Sequence, residues 1–168
     1  ALIFGFIFGR PLINVLRRTQ GKGQPIRADG PESHFAKAGT PTMGGLLILL
    51  AVLSSSLLWA RLDNAFVWIV LFVTFSFGLI GFADDYAKVS KQSAKGVPGW
   101  LRLLLGFVIA AIAAYWATAH HPEALQNKMA LPIFKDLLLN MGYVFLPFSM
   151  LVIVGSANAV NLTDGLDG

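Results

Sequence analysis

Residues 64–88 read NAFVWIVLFVTFSFGLIGFADDYAK, where 20 consecutive residues without a charged side chain are followed by two adjacent aspartates, Asp84 and Asp85. An α-helix rises about 1.5 Å per residue, so a run of this length can cross a hydrocarbon core about 30 Å thick. The pattern therefore predicts a transmembrane helix that ends at an acidic pair.

Similar apolar runs lie on both sides of this helix. Runs without Asp, Glu, Lys or Arg cover 23 residues at 38–60, 20 at 103–122 and 27 at 137–163, and a shorter apolar run opens the chain. Hydrophobic residues make up 55% of the sequence and charged residues only 13%, as in a membrane protein. The sequence predicts an all-α, polytopic transmembrane helical bundle, a single domain with about five spans, near 1–16, 42–60, 65–83, 102–119 and 137–156.

Both ends of the sequence are abrupt. The first apolar run has no starting Met before it and looks like a truncated span, and the last residues stop inside a polar motif at Gly168. We therefore expect the chain to be a fragment.

The basic residues orient the predicted spans. If each run crosses once, the loops at 17–41, 84–101 and 157–168 share one side of the membrane. Cytoplasmic loops are enriched in Lys and Arg, so the more basic side is predicted to be cytoplasmic. Counting Arg102 at the edge of the next span, that side carries nine such residues and the other carries three: Arg17, Arg18, Lys22, Arg27, Lys37, Lys88, Lys91, Lys95 and Arg102, against Arg61, Lys128 and Lys135.

Three polar clusters fall on the predicted cytoplasmic side, at 39–45, at Asp84-Asp85 and at 158–167. The first reads as a helix start at Thr40-Pro41, whose free N–H groups favour an anion such as phosphate. Helix capping with close packing at the following glycines explains the same residues. Each cluster alone fits a solvated helix end, but three on one face favour a shared site.

The carboxylates suggest a metal. Two adjacent aspartates at a membrane boundary repel each other, and a divalent cation would relieve that repulsion; an acidic helix end beside Lys88 is the alternative. Carboxylates, water and substrate phosphates suit magnesium. Polar residues at every third position from 158 to 167 lie along one slowly rotating helical face and can line a cavity or hold helices together: Asn158, Asn161, Asp164 and Asp167.

Several function classes are disfavoured. The chain has no Cys, which excludes disulfides, thiolate metal sites and Cys nucleophiles. Its net charge of +4 comes from basic residues that flank spans, so no nucleic-acid partner is predicted. A cation-coupled transporter remains the rival from another class, although its carboxylates are expected near the bilayer midplane rather than at span ends.

The motifs together resemble a known family, the phospho-N-acetylmuramoyl-pentapeptide-transferases. The resemblance runs along essentially the whole chain and rests on four strings: Pro31-Glu-Ser-His-Phe35, Lys37-Ala-Gly-Thr-Pro-Thr-Met-Gly-Gly45, Phe82-Ala-Asp-Asp-Tyr86 and Asn158-Ala-Val-Asn-Leu-Thr-Asp-Gly-Leu-Asp-Gly168. Related polyprenyl-phosphate sugar-phosphate transferases, which act on N-acetylhexosamine substrates, share the acidic motifs and are the near alternative.

The resemblance implies a ten-span enzyme of the bacterial inner membrane, commonly a homodimer, with its active site facing the cytoplasm. Such an enzyme moves phospho-MurNAc-pentapeptide from its UDP carrier onto undecaprenyl phosphate, a membrane lipid, and forms lipid I and UMP with Mg²⁺ in peptidoglycan synthesis. The resemblance places Asp84, Asp85 and Lys37 among the catalytic residues. Four further positions match substrate-binding residues: Thr42, Asn161, Asp164 and Asp167.

The resemblance also marks what lies outside the chain. The family's magnesium-associated aspartate and its triple-histidine motif lie beyond Gly168, so Asp84 and Asp85 are the metal candidates within the sequence, and the fragment alone is predicted to be inactive. Direct attack by the lipid phosphate and a covalent aspartyl-phosphate route both remain open.

Overall fold

The computed structural model describes residues 1–20, 42–92, 96–130 and 137–166, with side chains described as far as Asn161. Five α-helices occur in these ranges, and they are named here in chain order: α1 (Leu2–Gln20), α2 (Gly45–Trp59), α3 (Ala65–Ser90), α4 (Gly99–His120) and α5 (Phe145–Leu166). Two short strands, β1 (Lys128–Ala130) and β2 (Leu138–Asn140), form an antiparallel hairpin between α4 and α5.

Three helical segments in the described residues are long and apolar enough to cross a membrane, judged by length and composition: Ala65–Ser90, Gly99–His120 and Gly142–Asn161. Helix α2 is apolar but has 15 residues, and α1 has 19 residues including three arginines. The predicted all-α, polytopic membrane fold is confirmed, with one small hairpin added.

Helix α3 shows why these residues form one continuous span. The Asn64 side chain accepts a hydrogen bond from the Phe66 backbone N–H at 2.9 Å, which satisfies one of the donors left free at a helix start. An exposed ion pair between Arg61 and Asp63, with a shortest N–O distance of 2.7 Å, lies in the turn from α2. The helix continues past the predicted end at Ala83, so both aspartates are helical.

Helix α2 starts later than the sequence suggested. The sequence placed a helix start at Thr40-Pro41, and those two residues lie outside the described ranges, but Thr42 and Met43 are not helical and α2 begins at Gly45. Met43 has a φ of 69°, the left-handed region, which interrupts a right-handed helix at this point. Thr42 therefore lies ahead of the helix rather than in its first turn.

The last span also differs from the prediction, which ran from 137 to 156. Its first residues form β2 and a turn, in which Gly142 adopts a φ of 51° and the Asn140 side chain accepts from the Gly142 N–H at 3.1 Å. Helix α5 then begins at Phe145, with Pro147 in its first turn, where a missing N–H costs little. It continues to Leu166, through most of the predicted loop at 157–168.

Each helix packs against the next along the chain, from α1 on α2 to α4 on α5. Small residues make the closest approach: Ala110, Ala113 and Ala114 of α4 are buried, and Gly106 lies against Phe77 and Val154. Many large apolar side chains are exposed along the helices, as expected for a surface that faces lipid.

Candidate functional site

The acidic pair lies near the C-terminal end of α3, where Asp84 is the more buried member. Its side chain is 9% exposed, and its Oδ2 atom lies 2.6 Å from Lys88 Nζ and 3.5 Å from an Arg102 guanidinium nitrogen. The other oxygen, Oδ1, accepts a hydrogen bond from the Val97 backbone N–H at 2.8 Å. Asp84 thus joins α3 to the start of α4 through partners that already compensate its charge.

Asp85 has a different environment, although it is the next residue. Its side chain is 30% exposed, its Oδ2 accepts a hydrogen bond from Thr42 Oγ1 at 2.8 Å, and its Oδ1 lies 3.6 Å from Lys88 Nζ. Successive residues of a helix point about 100° apart, so the two carboxylates reach different neighbours. Asp85 retains more accessible oxygen surface than Asp84.

Thr42 is held in turn by the last residue of α1. The Gln20 side chain donates from Nε2 to the Thr42 carbonyl at 3.0 Å and accepts from the Thr42 N–H at 2.9 Å. Gln20 is 7% exposed, and its long side chain crosses from α1 to the residue that contacts Asp85. Three distant parts of the sequence therefore meet here.

A pocket of about 320 Å³ opens beside Asp85, between α2, α3 and α5. Asp85 and Asn161 supply its ionisable and amide groups, and its wall includes two closely spaced glycines of α3. The full lining is Met43, Gly45, Leu46, Leu49, Gly78, Gly81, Phe82, Asp85 and Asn161. The pocket combines an acidic, polar end with an apolar wall, so it is suited to a ligand with a charged head and an apolar body.

A larger pocket, about 370 Å³, lies between α3, α4 and α5, and no ionisable side chain lines it. Its residues include Ile69, Ala113 and Phe145, far along α3 from the acidic pair. Chemistry on a phosphate requires charged or polar groups, so the smaller pocket beside Asp85 is the candidate site.

The donors at this pocket fit magnesium in type. Mg²⁺ binds oxygen ligands and commonly takes one or two carboxylates, with water and substrate phosphates completing its coordination. Asp85 supplies a half-buried carboxylate and Asn161 an amide oxygen on the same pocket. Within the described ranges, no group of three or more His, Cys, Asp or Glu residues is arranged to hold a metal ion. A metal here would therefore rely on its substrate for ligands.

Four of the predicted site residues have described side chains. Asp85 and Asn161 line the pocket, Thr42 reaches it through its hydrogen bond to Asp85, and Asp84 lies on the α4 side. Lys37 and Asp167 are outside the described residues, and Asp164 lies in α5 but its side chain is outside the described part. Gln20 and Arg102 were not predicted; a lone Gln at a span end carries no recognisable signal, and Arg102 was counted only as an orientation charge.

Comparison with known proteins gives two matches to family models. Residues 67–168 match the model of glycosyl transferase family 4, and residues 37–49 match signature 1 of the phospho-N-acetylmuramoyl-pentapeptide-transferases. The first match covers α3 from Val67 onward, α4, α5 and Asp85, and the second covers Thr42 and the start of α2.

Individual relatives carry the same description. Proteins named phospho-N-acetylmuramoyl-pentapeptide-transferase from Ruegeria sp. (strain TM1040), Dinoroseobacter shibae and Maricaulis maris are 73%, 66% and 57% identical to this sequence across 100% of the chain. In each case the chain covers 47% of the relative. The chain thus spans about half the length of the curated relatives it matches.

Proposed function

Because the chain belongs to glycosyl transferase family 4, we propose that the full-length protein transfers phospho-MurNAc-pentapeptide from its UDP carrier onto undecaprenyl phosphate, releasing UMP and forming lipid I. The main support is that Asp85 and Asn161 line one pocket and that Thr42, next to the pocket residue Met43, donates a hydrogen bond to Asp85. Thr42 lies within the matched transferase signature, and the other two lie within the matched family model.

The reaction sets a clear electrostatic demand. A phosphate oxygen of the lipid forms a bond to the β-phosphorus of the UDP substrate, and the bond from that phosphorus to the UMP oxygen breaks. Both reactants are anions, so their repulsion has to be reduced before they meet. The lipid phosphate is mostly dianionic at neutral pH, because its second pKa is about 6. Little base catalysis is therefore needed.

Magnesium is the proposed cofactor, with Asp85 and Asn161 as its candidate protein ligands in the chain. When bound, the ion neutralises diphosphate charge and stabilises the departing UMP. Thr42 keeps the Asp85 carboxylate in place by donating to one of its oxygens. Asp84 belongs to the same proposed catalytic centre, where it fixes the side chains of Lys88 and Arg102 beside Asp85.

The remaining assignments are part of the same proposal. Lys37 supplies a further positive charge to the substrate phosphates, and Asp164 and Asp167 bind substrate alongside Asn161. Since the chain spans about half of its relatives, we propose that the rest of the family's ten spans completes the site and that the isolated chain makes no lipid I.

The proposed location is the inner membrane, with the pocket facing the cytoplasm, and a homodimer is the proposed assembly. Support for the orientation comes from the nine basic residues on the side that carries Asp85 and the three on the other side. The apolar wall beside the acidic end suits a lipid that enters sideways from the membrane.

The test is UMP release by the full-length protein in detergent or vesicles, given UDP-MurNAc-pentapeptide and undecaprenyl phosphate. We expect UMP release with magnesium and none with EDTA. The rate of UMP release should fall by at least about a hundredfold in the Asp85→Asn variant. Asn is nearly isosteric with Asp, so a folded but inactive variant isolates the charge. Release only with a UDP-N-acetylhexosamine would assign the chain to the related transferases, and silence with both substrates would favour a transporter.

A further inference from the structure

Gln20 occupies an unusual position for a polar residue of a membrane helix. It is the last residue of α1, it is 7% exposed, and both polar atoms of its side-chain amide are engaged by one residue, Thr42. Burying an amide costs free energy unless its donor and acceptor are satisfied, and here the backbone N–H and C=O of Thr42 satisfy both. Gln20 therefore both donates to and accepts from the backbone of a single residue.

The backbone next to this pair needs support. Met43 adopts a left-handed φ of 69°, which is unfavourable for a residue with a side chain and persists only where the surroundings impose it. Gly44, which precedes α2, provides no side-chain cap for the helix. The two hydrogen bonds between Gln20 and Thr42 therefore fix the residue directly before the strained Met43.

The fixed residue is also the one that contacts the proposed catalytic carboxylate. Thr42 Oγ1 donates to Asp85 Oδ2 at 2.8 Å, a contact between residues 43 apart in sequence. A Thr hydroxyl reaches only as far as its own backbone allows, so a displaced Thr42 backbone withdraws the donor from Asp85. Gln20 thus acts on Asp85 through Thr42 without lying on the pocket itself.

We infer that Gln20 is a positioning residue for the proposed transfer: it holds the Thr42 backbone so that the Thr42 hydroxyl fixes the orientation of Asp85. The inference rests on the proposed function. It assigns a role to the end of α1, which lies outside both matched regions of the sequence. Misplacing a catalytic group by about 1 Å can cost about a hundredfold in rate, so a residue that touches no substrate can still control turnover.

The experiment compares UMP release by the full-length wild-type protein with that by Gln20→Met, which keeps side-chain length but removes both hydrogen bonds. We expect kcat to fall between about tenfold and about a hundredfold, with KM for the UDP substrate changed less than about twofold. Gln20→Glu keeps the acceptor for the Thr42 N–H but sets an oxygen against the Thr42 carbonyl, so its kcat should also fall below wild type. This variant also serves if Gln20→Met does not fold.

The matched control is Gln92→Met. Gln92 is exposed, and its side-chain amide donates to a carbonyl three residues earlier in its own helix end, so kcat should stay within about twofold of wild type. A double-mutant cycle then separates positioning from general loss of structure. In a Thr42→Val background the hydroxyl is already gone, so Gln20→Met should lower kcat by less than about twofold more.

The outcomes are distinguishable. An active wild type with full kcat in Gln20→Met overturns the inference, and so do multiplicative losses in the double mutant, which indicate that Gln20 acts independently of the Thr42 hydroxyl. A wild type that releases no UMP from either nucleotide substrate removes the proposed function, and the inference goes with it. A loss of kcat in Gln20→Met that disappears in the Thr42→Val background supports both the inference and the proposed function.

Discussion

At the scale of single residues, Asp84 leaves no room for a side chain at position 96, which is Gly96. A Cβ atom built on Gly96 would collide with Asp84 Oδ1, the oxygen that accepts from the Val97 N–H. No side chain larger than hydrogen fits here without moving the carboxylate or the chain that leads into α4. The glycine is thus required by close packing rather than by a turn conformation.

We expect Gly96→Ala to lower the free energy of unfolding of the full-length protein by about 2 kcal/mol, because the new methyl group displaces Asp84 from its partners. Gly99→Ala is the control, since nothing lies within 4 Å of a Cβ at that position. Its effect should stay within about 0.5 kcal/mol. Thermal unfolding in detergent measures both, and equal midpoints in the two variants would contradict the close contact.

The sequence predicted part of this residue-level arrangement. Alternating spans placed Thr42, Asp85 and Asn161 on one face; in the structure Asp85 and Asn161 line one pocket and Thr42 hydrogen-bonds to Asp85. Their roles in binding and catalysis stay predictions. The unequal environments of Asp84 and Asp85 could not be predicted, because they depend on how far α3 is rotated relative to its neighbours. The partnership of Gln20 with Thr42 joins residues 22 apart and leaves no local pattern.

At the scale of elements, the start of α3 depends on one side chain. Asn64 accepts from the Phe66 N–H and has an extended backbone, as an N-cap residue should. We expect Asn64→Ala to lower the free energy of unfolding by about 1 kcal/mol, because that N–H loses its partner. Asn64→Asp keeps an accepting oxygen and should change it by less than about 0.5 kcal/mol.

These two variants can be compared by thermal unfolding of the full-length protein under identical detergent conditions. If Asn64→Asp is as destabilising as Asn64→Ala, the amide oxygen is not the stabilising group.

Counting uncharged residues predicted the start of one helix and missed the start of another. The run at 64–83 and the helix α3 coincide closely at the N-terminal end, because Asp63 and Asn64 mark a helix start in the sequence. The run at 137–163 contains a strand and a turn before α5, because absence of charge does not exclude turn residues such as Asn140 and Gly142. Hydrophobicity indicates where lipid lies, and local turn chemistry decides where each helix begins.

At the scale of the whole molecule, the exposed surface is rich in large apolar side chains while the site lies where polar groups collect. Helices stacked one after another leave much of each helix facing outward, which is tolerable in lipid and not in water. Sequence composition predicted this class of protein directly, because it depends on averages over many residues rather than on any single contact.

The orientation of the molecule can be tested with single cysteines, since the chain has none. After replacement of any cysteine elsewhere in the full-length protein, Lys91→Cys and Glu123→Cys place one thiol at each end of the span that runs through α4. Both positions are exposed. We expect a membrane-impermeant maleimide to label Glu123→Cys in intact spheroplasts and Lys91→Cys only after permeabilisation, because basic loops stay in the cytoplasm. Labelling in the reverse order would invert the topology.

The pairing of Gln20 with Thr42 also closes a ring in the chain, as a disulfide would in a protein that has cysteines. The entropy lost on closing a ring grows only with the logarithm of its length, and doubling the length costs about 0.6 kcal/mol. The same two hydrogen bonds that fix Thr42 thus make a loop closure whose entropic cost depends only weakly on the length of chain that links residues 20 and 42.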